Sequence, residues 1–209
     1  MKKYSALLLL GPTGSGKTPL GNYFEANGIN NKRCFHFDFG RELRSVAERN
    51  MPPLNCSRKD VAYIHRVLKE GALLENETFY IAANILRAFI ERRRITVGDN
   101  IVLNGLPRHA GQAEAVDALI AVRTVILLDC SPEVVYKRIR CNSGGDRSGR
   151  TDDSLTDIAG KLEIFKERTL PLVRYYQGKR IPVIPVEVAV HTTPRDILLK
   201  VLPRLDRGE

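Results

Sequence analysis

Residues 11–18 read Gly-Pro-Thr-Gly-Ser-Gly-Lys-Thr, and this stretch decides the fold. An apolar run over residues 4–10 comes before it, and sequence with helical spacing follows from about residue 16. The pattern G-x-x-x-x-G-K-[ST] between a strand and a helix is that of a phosphate-binding loop (P-loop). Such a loop turns its backbone N–H groups toward phosphate oxygens, and the helix dipole supports them. We therefore expect ATP to be bound by Gly11, Thr13, Gly14, Ser15, Gly16, Lys17 and Thr18, with Lys17 on the β- and γ-phosphates and the Thr18 hydroxyl on Mg²⁺.

Outward from this loop, strand-like and helix-like segments alternate along the whole chain. This order is typical of an α/β protein with a parallel sheet flanked by helices. The apolar runs predict strands over residues 4–10, 33–38, 100–104, 123–129 and 181–186. The predicted fold class is thus a three-layer P-loop α/β fold with a five-stranded parallel sheet.

Two segments interrupt the alternation and predict excursions from a single P-loop domain. Residues 39–93 carry helical spacing between the second and third strands, and residues 141–150 form a polar loop with glycines. The core is then formed by residues 1–38, 94–140 and 151–209. Within it, one long helix is predicted over about 153–176, and a last helix begins at Pro194.

Composition narrows the class of protein without choosing a substrate. The 209 residues carry a formal net charge of +9, which suits a partner that bears phosphates. No apolar run reaches the roughly 18–20 residues that span a bilayer, so we expect a cytoplasmic protein, and a monomer. Four cysteines are scattered without a C-x-x-C pair, which argues against a zinc ribbon or a disulfide scaffold.

Several motifs, read together with the loop, resemble those of adenylate kinases. The order of the motifs is kept over nearly the whole chain. They are Gly40-Arg41-Glu42-Leu43-Arg44, Asn104-Gly105-Leu106-Pro107-Arg108 with Gln112, Arg150-Thr151-Asp152-Asp153, and the stretch from Lys161 through Thr169-Leu170-Pro171-Leu172 to Tyr175-Tyr176. The resemblance implies a nucleoside monophosphate kinase that transfers the γ-phosphoryl group of ATP to a monophosphate, with AMP as the first candidate.

The same resemblance implies roles for individual residues around the monophosphate. Arg44 and Arg108 match arginines that bind its phosphate, for which a bidentate guanidinium is well suited. Gln112 matches a glutamine that reads the adenine edge, since an amide offers a donor and an acceptor together. The remaining implied contacts to the monophosphate come from Phe39, Gly40, Leu74 and Gly105.

Around ATP, the resemblance makes the 141–150 loop a lid that excludes water. Arg138 matches an arginine that packs on the adenine of ATP. Arg147 and Arg150 are candidates to cover the transferring phosphate, and Lys161 stands at the position of a last catalytic cation. Asp152 and Asp153 match an acidic hinge pair whose partners are these arginines; a helix N-cap at either aspartate also fits. The lid has no run of cysteine ligands, so no zinc is expected there.

Three residues depart from the family pattern. Asn104 replaces an aspartate that holds magnesium-bound water, which leaves Asn104 or Asp38 to act through water. Phe39 replaces a threonine, so apolar contact replaces a hydrogen bond to the base. Lys161 replaces an arginine, which keeps the charge but loses the bidentate fork.

Other functions stay open at this point. Asp38, at the end of the second strand, could act as general base on a hydroxyl acceptor, as in kinases of shikimate or gluconate type. Loss of chemistry through Asn104 and Lys161 would instead leave a nucleotide-binding regulator. A nucleic-acid partner is disfavoured, because no basic stretch interleaved with aromatic residues is present.

Overall fold

The sheet is parallel throughout and has the phosphate-loop strand at its centre. In a computed structural model, residues 3–148 and 153–205 are described. The strand order in the five-stranded sheet is β2-β3-β1-β4-β5, which confirms the predicted α/β class. The strands are β1 (Tyr4–Leu10), β2 (Cys34–Asp38), β3 (Asn100–Asn104), β4 (Ile120–Asp129) and β5 (Val183–Glu187). Because β1 has β3 on one side and β4 on the other, a crevice forms at the carboxyl edge of the sheet, beyond β1.

Helices cover both faces of this sheet. They are α1 (Lys17–Asn27), α2 (Phe39–Arg49), α3 (Arg58–Glu70), α4 (Phe79–Arg93), α5 (Ala110–Leu119), α6 (Pro132–Arg140), α7 (Leu155–Ile164), α8 (Leu172–Gly178) and α9 (Pro194–Leu205). Among the helices of the described ranges, none combines the length and apolarity that a membrane span requires.

Alternate residues of β1 point into two separate apolar layers, as expected for a strand buried on both faces. Ala6, Leu8 and Leu10 join a cluster with Phe37 and residues of α4, α5 and α8. Leu7 and Leu9 join a second cluster formed by α1, α6 and α9. This alternation anchors the strand on both sides and fixes the place where the phosphate loop leaves the sheet.

The helical excursion between β2 and β3 shares the first of these layers. Helix α2 begins directly after β2, where the Asp38 side chain accepts a hydrogen bond from the Arg41 amide and caps the helix. Ser57 and Asp60 form a capping box at the start of α3. Buried residues such as Ile64 and Val67 belong to the same cluster as the sheet. The excursion is therefore packed on the core as one continuous apolar layer.

The long helix predicted over 153–176 is wrong as a single element. Helix α7 ends at Ile164, and a π-helical turn spans Phe165–Thr169 before α8 begins at Leu172. Pro171 has no N–H to continue the ladder, so the chain cannot run on as a regular helix. The N-cap of α7 is Ser154, in a capping box with Asp157, so the alternative cap at Asp153 is also wrong. The π turn brings Thr169 to the carbonyl of Arg108, at 2.9 Å.

Candidate active site

The phosphate loop is a tight turn that only its glycines permit. Gly14 and Gly16 have φ of 73° and 98°. A Cβ on Gly14 would lie 2.8 Å from the side chain of Ile139 in α6. The Lys17 ammonium folds over the loop and donates to the carbonyl oxygens of Gly11 and Pro12, at 2.7 and 2.6 Å. Sequence thus predicts the loop residues correctly as one structural unit at the start of α1.

The charge environment of Lys17 shows which ligand this loop favours. Burial lowers the pKa of Lys17 to about 7, and the nearby cations Arg108 and Arg147 lower it further. Asp38 and Asp146 act in the opposite direction but do not compensate. Like charges brought together in a half-buried cleft stabilise an anion that enters among them.

Binding of ATP is therefore expected to take up a proton. At pH 8 most of the Lys17 side chain is neutral before binding, whereas a phosphate beside it restores the charged form, so uptake should be about 0.9 proton. At pH 6 the group is already charged, and its share should fall below about 0.2 proton. Calorimetric titrations in two buffers of different ionisation enthalpy measure this quantity. No uptake at pH 8 would contradict the depressed pKa.

Oxygen donors gather beside the loop at the ends of β2 and β3. The Thr18 hydroxyl donates to Asp38 Oδ2 at 2.7 Å, and Asn104 Nδ2 lies 3.1 Å from both of these oxygens. Burial of Asp38 favours its neutral form, but the hydrogen bonds from Thr18 and from the Arg41 amide lower its pKa overall. Asp38 is thus an ionised carboxylate with both oxygens already accepting hydrogen bonds.

These donors are of the kind that magnesium prefers. A hydroxyl, a carboxylate and an amide carbonyl are hard oxygen ligands. Within residues 3–148 and 153–205 no group of three or more His, Cys, Asp or Glu side chains could hold a metal by itself. The donor set fits a cation that takes most of its ligands from phosphate and water, with Thr18, Asp38 and Asn104 as its protein partners.

Arg108 leads the opposite side of the cleft. It follows β3, and burial lowers the pKa of its guanidinium. Its backbone is held from two directions, because its N–H donates to Gln112 Oε1 at 2.7 Å while its carbonyl accepts from Thr169. Arg44 and Lys161 line the same cleft. The cations that the sequence predicted for phosphate binding are therefore brought together.

Gln112 has a different environment from the one the sequence suggested. Its side chain is buried, and its two ends join the backbone of Arg108 to that of Leu74, where Nε2 donates to the carbonyl at 2.7 Å. His109 Nε2 lies 3.1 Å from the same carbonyl. In this structure the amide ties the excursion to α5, so its predicted reading of a base requires an exchange of these bonds.

The wall between loop and excursion is apolar. Phe39 is buried and stacks on Phe37, with ring centroids 6.0 Å apart. Gly105 has φ of 82°, and a Cβ there would approach Phe39 at 3.7 Å. Gly40 and Leu74 also line the cleft. The predicted monophosphate residues thus share one wall, although no hydroxyl replaces the threonine that Phe39 displaces.

The lid loop contacts the phosphate loop through Arg147. Its guanidinium donates to Asp153 Oδ1 at 2.8 Å and to Thr13 Oγ1 at 3.2 Å. The expected pairing of a lid arginine with the acidic hinge is seen for Arg147 and Asp153. Arg150 and Asp152 lie outside the described residues, so their predicted roles stay predictions.

Arg138 is the arginine most fully engaged by the backbone. It is buried, Nε donates to the Gly14 carbonyl at 3.0 Å, and Nη1 donates to the carbonyls of Ala189, Val190 and Thr192. Its side chain borders a second cavity of about 80 Å³ beside Gly16. With its N–H groups used in this way, the face of the guanidinium remains for the predicted contact with an adenine.

A single cleft of about 240 Å³ connects most of these groups. It runs from the phosphate loop past Asp38 and Asn104 to the excursion. Its lining includes three residues that sequence reasoning did not assign, namely Asp146, Phe165 and Thr169. The two last belong to the π turn, which no sequence pattern predicted.

His36 was also missed, although a signal was present. Strand β2 reads Cys-Phe-His-Phe-Asp, so His36 and Asp38 share one face of the sheet while the two phenylalanines take the other. His36 is fully buried, and its Nε2 lies 3.3 Å from Asn104 Nδ2. Burial lowers the pKa of His36 to about 4, so the ring is neutral near pH 7.

Comparison with known families accounts for this arrangement. Residues 7–156 match the family described as "AAA domain". The chain belongs to this family. The match begins within β1 and covers the phosphate loop, the excursion and the lid loop, so this AAA-domain protein carries its candidate site almost wholly within the matched span.

Similar proteins place the chain among nucleoside monophosphate kinases. An adenylate kinase of Synechococcus sp. (strain WH7803) is 28% identical over 181 residues, which cover 83% of this chain and 85% of that protein. UMP-CMP kinase 3 of Arabidopsis thaliana is 24% identical over 180 residues, covering 85% of this chain and 79% of that protein. These relatives confirm the family resemblance that the sequence motifs indicate.

A solved structure confirms the fold. The crystal structure of a gluconokinase from Sinorhizobium meliloti 1021 matches with a TM-score of 0.54 at 18% identity, over 99% of this chain and 94% of that chain. At this identity the likeness concerns architecture alone, and it agrees with the five-stranded parallel sheet flanked by helices.

Proposed function

We propose that the protein transfers the γ-phosphoryl group of ATP to a nucleoside monophosphate, with AMP as acceptor, to give two ADP. The observation that carries the proposal is the convergence of Lys17, Arg108 and Arg147 on one cleft that extends from the phosphate loop to the excursion. Transfer between two polyanions depends mainly on positioning and charge neutralisation. Cations from three separate chain segments supply both.

Each part of the cleft has a role in this transfer. The loop amides and Lys17 hold the donor phosphates, and Arg108, with Arg44, holds the acceptor phosphate. Thr18, Asp38 and Asn104 would hold Mg²⁺, which bridges phosphate oxygens and neutralises their charge when bound. Arg147 and Lys161 lie where they would stabilise charge on the transferring group.

The reaction itself needs no base from the protein. An oxygen of the monophosphate forms a bond to the γ-phosphorus while the bond from that phosphorus to the oxygen bridging it to the β-phosphate breaks. The acceptor oxygen is already ionised near pH 7, so no proton has to leave it. A hydroxyl acceptor would need a base, and Asp38 is poorly suited because its oxygens accept from Thr18, Asn104 and the Arg41 amide.

A panel of acceptors tests this function. Purified protein with MgATP is assayed by coupled ADP production against AMP, CMP, UMP, GMP and dAMP, with gluconate and shikimate as hydroxyl acceptors. We expect turnover with monophosphates, highest with AMP, and none with the two hydroxy acids. Binding of ATP without transfer to any monophosphate would overturn the proposal and favour a regulator. Turnover with a hydroxy acid alone would favour a small-molecule kinase.

The expected setting of this activity is a cytoplasmic monomer acting on free nucleotides. Size-exclusion chromatography with light scattering tests the monomer, and a mass of twice 23.5 kDa would contradict it.

A further inference from the structure

The orientation of the Asn104 amide follows from its neighbours. A carboxylate only accepts hydrogen bonds, so the amide group that lies 3.1 Å from Asp38 Oδ2 must be the NH₂. The Thr18 hydroxyl gives its own proton to Asp38 and therefore accepts from the same NH₂. The Asn104 carbonyl oxygen consequently points away from Asp38. Across residues 3–148 and 153–205 no donor contacts this oxygen, and Asn104 lines the cleft.

The polarity of this network continues into His36. Since Asn104 donates, the His36 Nε2 that lies 3.3 Å from it is an acceptor, and the ring proton must be on Nδ1. His36 Nδ1 lies 2.9 Å from Asn22 Oδ1, which accepts that proton. One carboxylate thus fixes the direction of every hydrogen bond from Asp38 through Asn104 and His36 to Asn22.

Helix α1 is shaped to admit the imidazole. A Cβ on Gly21 would lie 2.3 Å from both Cδ2 and Nε2 of His36, so any larger residue would displace the ring. His36 has no exposed surface, whereas Asn22 lies on the exposed side of α1. The ring is therefore held by packing from one side and by Asn22 from the other.

We propose that His36 is a positioning residue for the cation site, which makes Asn104 present its carbonyl oxygen rather than its NH₂ to the metal and its water. An aspartate at this position would need no such device, because its two oxygens are equivalent. An asparagine does, because a flipped amide would turn two N–H groups toward the cation. The inference rests on the ATP-binding half of the proposed function and is independent of the acceptor.

A pair of substitutions at His36 separates positioning from packing. His36→Leu keeps an apolar body but removes the acceptor, whereas His36→Gln keeps an oxygen that can accept from Asn104. The readout is binding of Mn²⁺ in the presence of ATP, followed by electron paramagnetic resonance without any monophosphate. Loss of a group that orients a metal ligand typically costs 10–100-fold in metal affinity, so we expect about tenfold weaker Mn²⁺ binding in His36→Leu. His36→Gln should stay within about threefold of the unmodified protein, and metal-free ATP affinity should change in neither.

A second pair avoids the core. Asn22→Leu removes the acceptor for the His36 Nδ1 proton and frees the ring to take the other tautomer, whereas Asn22→Asp keeps an acceptor. Because Asn22 is exposed, both variants should fold, and only Asn22→Leu should weaken Mn²⁺ binding. This pair decides the question if His36→Leu does not fold.

An Asn104→Asp background provides the cross-check. With two equivalent oxygens at position 104, His36→Leu should cost less Mn²⁺ affinity than it does beside asparagine. Mn²⁺ binding within twofold of the unmodified protein in folded His36→Leu and Asn22→Leu would overturn the proposal. Equal losses in His36→Leu and His36→Gln would also overturn it, since the role would then be packing alone. Failure of the acceptor panel leaves these measurements unaffected.

Discussion

Replacement of Lys17 by methionine is expected to lower kcat for phosphoryl transfer by about a hundredfold to a thousandfold. Methionine has nearly the length of the lysine stem, so the loop keeps its shape while the charge is lost. Removing one preorganised donor from a transition state that develops charge costs this much in other enzymes. Here Lys17 is the cation directly on the loop, and the others lie further along the cleft.

The measurement is the coupled ADP assay at saturating ATP and AMP, with thermal unfolding to show that the variant is folded. Lys137→Met is a matched control. Lys137 is exposed on α6, and its ammonium pairs with Glu133 one helical turn away. That substitution should leave kcat within about twofold, because exposed pairs of this kind contribute little. A Lys17→Met protein that keeps more than a tenth of the activity would refute the role of the loop lysine.

The second large effect is expected for Arg108→Lys. The change keeps the positive charge but loses the planar fork that can hold two phosphate oxygens at once. We expect kcat/KM for the monophosphate to fall by about a hundredfold, while ATP affinity stays within about threefold. Such a split would locate Arg108 on the acceptor side of the cleft.

Initial rates over a range of AMP concentrations, with ATP binding measured by calorimetry, test this prediction. Arg123→Lys is the matched control, since Arg123 is exposed on β4 away from the cleft. If Arg108→Lys weakened ATP as strongly as AMP, Arg108 would belong to the donor site. If neither parameter changed, the acceptor phosphate would have to be held elsewhere, with Arg44 as the next candidate.

Local sequence patterns predict the frame of the site well. Apolar strands that end in polar or glycine residues place Gly11, Asp38 and Asn104 at one edge of the sheet, and β2 and β3 pair so that the last two are direct neighbours. Parallel topology explains this success, because strand ends meet wherever strands are aligned. The resemblance to adenylate kinases then predicted Arg44, Arg108 and Arg147 as residues of one region, and the structure places them around one cleft.

The uses of individual side chains were harder to predict. Gln112 and Arg138 are occupied by carbonyls that are distant in sequence, with Leu74 lying 38 residues from Gln112 and Gly14 lying 124 residues from Arg138. Such bonds satisfy backbone groups that the fold buries, and no local pattern records which groups those are. The break after Ile164 has the same origin in part, since the π turn becomes useful only when Thr169 meets Arg108.

The attachment of the excursion has an evolutionary consequence. Its first helix departs from Asp38, and Leu74 returns to the same sheet edge, where Gln112 and Arg108 receive it. A segment that departs and returns at one edge can change length and composition while β1 and the phosphate loop keep their surroundings. Selection could thus rewrite the acceptor half of this protein as an exchangeable cassette, with Leu74 and Asp38 as its conserved joints and the donor half inherited unchanged.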